Sequence, residues 1–207
     1  MKKSSVIDLI GNTPLIYLKK PSELSGCNIY GKAEFLNPGQ SVKDRAAFYI
    51  IKEALDKKLL KPGGTIVEGT AGNTGIGIAM VANYFNIETV IVIPKTQSKE
   101  KKDALKNLGA KLIEVDAVPY SDPKNYVKYS KKVAENLSKS NDRQVYWANQ
   151  FDNTINKLAH IETTSREILD QTDSTIDAFV CSVGTGGTLA GTAEGLKKYN
   201  KKIVAGL

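Results

Sequence analysis

Two features of this chain can do chemistry together. One is Lys43, in the run NPGQSVKDRAA (37–47); the other is the glycine loop GTGGT (184–188), about 140 residues later. Ser41 and Asp44 suit the start of a helix, in the manner of a capping box with Asp in place of Glu. That sets Lys43 near the positive end of a helix dipole, where a protonated amine is disfavoured, and burial would push the same way. A free amine attacks an aldehyde to form an imine, and once released it can act as a base. The GTGGT loop follows the apolar run DAFVCSV and precedes TLAGTAEGLKKY, so it joins a strand to a helix. Gly184, Gly186 and Gly187 let the backbone close around a phosphate, while Thr185 and Thr188 supply hydroxyls. A nucleotide phosphate would fit as well, although Leu189 stands where a dinucleotide fingerprint has its third glycine. An imine-forming lysine with a separate phosphate cradle is what pyridoxal phosphate requires. The plain alternatives are a surface lysine beside Asp44 and a structural turn.

A second glycine loop lies in EGTAGNTGIGIA (68–79), again between a strand and a helix. Exposed N–H groups at such a helix start bind anions such as a carboxylate. Thr70 and Thr74 add hydroxyl donors, and Asn73 could lie beside a phenolic oxygen of a ring cofactor. The spacing fits neither GxGxxG nor a P-loop, and a tight turn with close helix–sheet packing is the alternative. In YWANQF (146–151), Asn149 and Gln150 could line a polar pocket, with core packing as the competing reading. His160 is the only histidine, no nucleophile elbow accompanies it, and with Cys27 and Cys181 it makes no ordinary zinc site. Cys181 reads as a small core residue, and a disulfide with Cys27 stays open.

These residues need a frame, and the pattern supplies one. Strands are expected at 65–68, 89–93, 111–115, 177–183 and 202–206, and helices at 42–58, 74–85, 98–108, 123–140, 152–171 and 188–200. Their alternation predicts an α/β fold with a mostly parallel sheet covered by helices on both faces. The net charge of +7 comes almost entirely from lysine, in pairs such as 57–58 and 131–132 that read as solvated helix faces. Neither a zinc finger nor an arginine-rich arm is present, which disfavours nucleic acid as a partner. No apolar run is long enough for a membrane helix, so a cytoplasmic location is the default expectation. The last expected strand runs to the final residues with nothing to cover it, as in a piece of a longer protein.

Taken in order, IGNTPL (10–15), NPGQSVKDR (37–45), EGTAGNTGIGIA, NQF (149–151) and VGTGGTLAG (183–191) resemble the cysteine synthase and cystathionine β-synthase family of fold-type II pyridoxal-phosphate enzymes. The resemblance spans nearly the whole chain. It implies that Lys43 holds the cofactor as an imine, that Asn73 contacts the ring oxygen, and that Gly184, Thr185, Gly186, Gly187 and Thr188 bind the phosphate. Thr70, Ala71, Gly72, Asn73, Thr74 and Gln150 would receive the substrate carboxylate. Two three-layer α/β domains are implied: a smaller mobile one over 43–150, and a larger one from 1–42 plus 151–207 that is incomplete. The implied reaction is β-replacement, making L-cysteine from O-acetyl-L-serine and sulfide, in a homodimer. O-phosphoserine sulfhydrylase, cystathionine β-synthase and cysteine desulfhydrase activities use related chemistry. Three features depart from the family pattern: Ala71 stands where serine is usual, 115–130 lacks a common glycine-rich stretch, and family members continue for roughly half this length again. A reading from another class is a non-catalytic paralogue or fragment that binds partners, which Ala71 favours and Lys43 opposes.

Overall fold

The computed structural model describes residues 4–140 and 143–207. Near the N-terminus, β1 (Leu15–Tyr17) and β2 (Tyr30–Lys32) pair antiparallel around a short helix, α1 (Lys19–Ser25). Next come α2 (Lys43–Asp56), β3 (Thr65–Gly69), α3 (Asn73–Tyr84), β4 (Glu88–Pro94), α4 (Lys99–Asn107), β5 (Lys111–Val115), α5 (Tyr126–Ser140) and β6 (Val145–Trp147). The strands β3 to β6 form a parallel sheet in the order β5-β4-β3-β6.

Strand periodicity decides what each face of this sheet meets. Val67, Val90 and Val92 point to one side, where Val133 and Ala134 of α5 cover them. Ile66 points to the other and packs with Ile50, Ile51 and Ala54 of α2 and Ile78 of α3. Ile91 and Ile93 join Ala79 of α3 and Leu105 of α4. Both faces are apolar because both are roofed, as expected for a parallel sheet.

The remainder holds α6 (Ile155–Ala159), a π-helical turn (His160–Thr164), α7 (Ser165–Gln171), β7 (Ala178–Val180), α8 (Gly187–Tyr199) and β8 (Val204–Gly206). β7 and β8 pair in parallel, and Ile203 packs with Ile168 and Leu196 beneath them.

Several expectations are corrected. The helix expected over 152–171 starts at Ile155 and runs on through a π turn, where the hydroxyls of Thr163 and Ser165 donate to the carbonyls of Ala159 and Ile161. α5 begins at 126 rather than 123, because Asn125 Oδ1 accepts the Val127 N–H at 3.1 Å and acts as a cap. The strand expected over 177–183 stops at 180; its short partner β8 offers no further ladder beyond the Cys181 N–H to Gly206 carbonyl bond. β6 and the β1–β2 hairpin were not expected as strands, each being only three residues long.

Candidate active site

Lys43 opens α2, but not through a capping box. Val42 is the capping residue, and Ser41 Oγ accepts the Lys43 N–H at 3.2 Å. The Asp44 carboxylate turns back instead to accept the Gly39 N–H at 2.5 Å. Its other oxygen is buried without a partner among the described residues, and burial pushes Asp44 up to about 6. The Lys43 amine is half-buried, and burial lowers its pKa, against the opposing pull of Cys181 and Glu34. A larger share of neutral amine follows.

At the C-terminal end of β3, the chain enters α3 through Thr70–Gly72. Thr70 Oγ1 accepts the Gly72 N–H at 3.2 Å, which leaves the hydroxyl its proton to donate. The Thr74 hydroxyl donates to Gln150 Oε1 at 2.6 Å, so it is not the free hydroxyl donor expected there. Gln150 N and Nε2 donate to the Glu68 carboxylate at 3.2 and 3.3 Å. Glu68 is 1 % exposed, and burial raises its pKa to about 8. The Ala71 carbonyl accepts from Gln97 Nε2. Asn73 is exposed as the first residue of α3. The Lys101 ammonium stands over Gly72, 3.4 Å from where a Cβ would lie.

The third loop follows β7. Gly186 sits at φ 85°, a left-handed conformation glycine adopts without strain, and α8 starts at Gly187. Thr185 Oγ1 accepts from Asn156 Nδ2 at 2.9 Å and from the Gly187 N–H at 3.3 Å. Thr188 Oγ1 lies 3.2 Å from His160 Nε2, and His160 Nδ1 lies 2.9 Å from Thr164 Oγ1. His160 is fully buried, and burial, with Arg45 and Lys43 adding to it, pushes its pKa down to about 3. The imidazole is therefore neutral, with one ring nitrogen donating and the other accepting.

The three loops converge. Lys43 is close enough to Cys181, just before the third loop, for its charge to favour the thiolate against the effect of burial. Cys181 is half-buried rather than in the core, and both it and Cys27 are free thiols. Asn156 joins the Gln150 carbonyl, at 3.0 Å, to Thr185. The YWANQF run divides: Trp147 donates to Ser130 Oγ at 2.9 Å within the α5 packing, and only Gln150 reaches the second loop. Sequence reasoning missed Asn156, Glu68 and Lys101. The signals that could have found the first two are an asparagine inside a helical run and a glutamate closing an apolar strand.

Residues 6–205 match the profile of a family described as "Pyridoxal-phosphate dependent enzyme". Cysteine synthase 1 of Neurospora crassa is 54% identical over 191 residues, 92% of this chain and 50% of that protein. The crystal structure of a hydrogen sulfide-producing enzyme from Fusobacterium nucleatum superposes with a TM-score of 0.85 at 37% identity, covering 99% of this chain and 65% of the other. That of an O-acetylserine dependent cystathionine beta-synthase from Helicobacter pylori gives 0.88 at 34%, covering 100% and 66%. The chain spans about half the length of the curated relatives it matches.

Proposed function

The chain belongs to the pyridoxal-phosphate dependent enzyme family as a cysteine synthase homologue, and from this premise we propose that it carries the cofactor and substrate grips of a β-replacement enzyme making L-cysteine from O-acetyl-L-serine and sulfide. The observation that carries this reading is the hydrogen-bonded chain Thr74–Gln150–Asn156–Thr185 joining the second loop to the third, with the start of α2 that bears Lys43 packed against Gly77 of α3. The residues fit pyridoxal phosphate. The Gly184 and Gly186 α-carbons face open space where a Cβ would otherwise stand, and the first N–H groups of a 13-residue helix lie beside them. Gly184, Thr185, Gly186, Gly187 and Thr188 would hold the phosphate, Asn73 the ring oxygen, and Lys43 the aldehyde carbon. When bound, the cofactor supplies an electron sink for the bond changes at the substrate's α and β carbons.

The protein's own part is grip and proton handling. The N–H groups of Ala71, Asn73 and Thr74 and the Thr70 hydroxyl would receive the substrate carboxylate, with the Gly72 N–H held by Thr70 Oγ1. Gln150 supports that loop through Thr74 and Glu68. Once free of the cofactor, Lys43 Nζ would take the proton from the substrate's α carbon, a step its lowered pKa favours. Lys101 adds positive charge at the mouth of the loop, which suits anionic reactants. The segment 43–150 would act as a smaller, substrate-gripping domain. The exposed Tyr17, Tyr30, Phe35 and Leu36 offer an apolar face of the kind a homodimer buries.

The experiment is a spectrum. The chain mixed with pyridoxal phosphate should gain a visible band that Lys43→Ala abolishes, and O-acetylserine should change that band until sulfide restores it. A colourless unsubstituted chain defeats the Lys43 assignment; a coloured one blind to O-acetylserine defeats the substrate assignment.

A further inference from the structure

Thr185 is the hydroxyl best placed to meet a phosphate at the third loop, and its bonding is unusual. A hydroxyl has two acceptor lone pairs and one proton. Both acceptor positions are occupied by donors, Asn156 Nδ2 at 2.9 Å and the Gly187 N–H at 3.3 Å. The proton is left with nowhere to go but outward. The other hydrogen of the same Asn156 amide goes to the Gln150 carbonyl at 3.0 Å. A carbonyl oxygen only accepts, so the amide has one admissible orientation, with its nitrogen toward Gln150 and Thr185. Asn156 is 4 % exposed, and its side chain occupies the space a Cβ at Gly187 would need. It therefore touches the loop at two points and holds Gln150 at a third.

We propose that Asn156 is a positioning residue that makes Thr185 an obligate donor toward the cofactor phosphate. This rests on the phosphate-loop reading above. Asn156→Asp keeps the shape but puts an acceptor where the donor was. The Thr185 proton then turns inward to the new carboxylate, and the phosphate loses a hydrogen bond to a charged group.

The test compares binding of pyridoxal phosphate with that of pyridoxal, which lacks the phosphate, by equilibrium dialysis of the 207-residue chain. In Asn156→Asp the preference for the phosphorylated form should fall by about tenfold or more, the scale of one charge-assisted hydrogen bond, with pyridoxal binding left near the parent's. Asn156→Ala, which brings no buried charge, should lower the same preference by less, and it serves should the aspartate variant fail to fold. Because Asn156 acts through Thr185, adding Asn156→Ala to Thr185→Val should cost no further preference. Equal weakening of both ligands, or additive losses in the double variant, would assign Asn156 to packing alone and overturn the inference. Absence of any phosphate preference in the parent would remove the phosphate-loop reading and this inference with it. A parent that keeps the preference but stays colourless would sink only the Lys43 assignment.

Discussion

A carboxyl group enclosed as Glu68 is costs several kcal/mol to ionise, and only hydrogen bonds to the carboxylate offset part of that. Gln150 provides two, yet burial still lifts the pKa from 4.5 to about 8. The folded state therefore holds a proton that the unfolded state has already released. Stability from this group is fully present below pH 4.5, declines by roughly 1.4 kcal/mol per pH unit above it, and is lost as pH rises through about 8. Glu68→Gln cannot ionise, so subtracting its urea-unfolding stability from the parent's at each pH should reveal that slope. A difference that does not change between pH 5 and 8 would show that Glu68 is ionised throughout. Glu68 also marks the limit of what the residues alone disclose. Lys43 and the GTGGT glycines were legible because their chemistry demands those residue types. The worth of Glu68 or Asn156 depends on what the fold sets on the far side, and nothing in a carboxyl announces a partner 82 residues away, as Gln150 is for Glu68.

α6, the π turn and α8 meet where side chains are nearly absent. A Cβ at Gly191 would collide with the Lys157 carbonyl and lie 2.7 Å from the His160 Cβ, and one at Gly195 would collide with Ser165. The first obstacle is backbone, which cannot rotate aside. Gly191→Ala should therefore cost about 1–3 kcal/mol in chemical denaturation, overriding alanine's better helix propensity. It should also weaken pyridoxal phosphate binding, since α8 carries the phosphate loop at its start. A gain in stability would mean the two helices are free to separate. The helices themselves were readable from apolar spacing, and the central strands from their β-branched runs. The π turn was not, because hydroxyls that bond back to carbonyls four residues earlier, as those of Thr163 and Ser165 do, are also common in plain α-helices. The π turn puts His160 against Thr188. β6 was hidden for the opposite reason, since Val145–Trp147 pairs with β3 but is too short to show an alternation.

Across the whole molecule, one buried cluster ties segments that are far apart in sequence. Arg45, 1 % exposed at the start of α2, bonds Glu34 and, at 2.5 and 2.8 Å, both oxygens of Glu167 in α7. Lys32 in β2 reaches Glu167 at 2.7 Å, and the Asn12 N–H donates to it at 2.9 Å. Two cations face two carboxylates, so the cluster is neutral only while all four side chains are present. Glu167→Gln would leave Arg45 and Lys32 facing Glu34 alone, and breaking such a buried pairing costs on the order of 3–5 kcal/mol. The pH signature has the opposite sign to that of Glu68. Arg45 and Lys32 outweigh burial and hold the Glu167 carboxyl well below its ordinary 4.5, at about 2. Its contribution is complete above pH 4.5 and disappears as pH falls through about 2. Urea titrations at successive pH values should show the parent losing stability faster than Glu167→Gln across that acid range, with Glu34 supplying the sensitivity the variant retains. Equal acid sensitivity in the two proteins would mean that Glu167 does not clamp the N-terminal segment to α7. In that case the placement of Lys43, two residues before Arg45, would have to rest on the packing of α2 against the sheet alone.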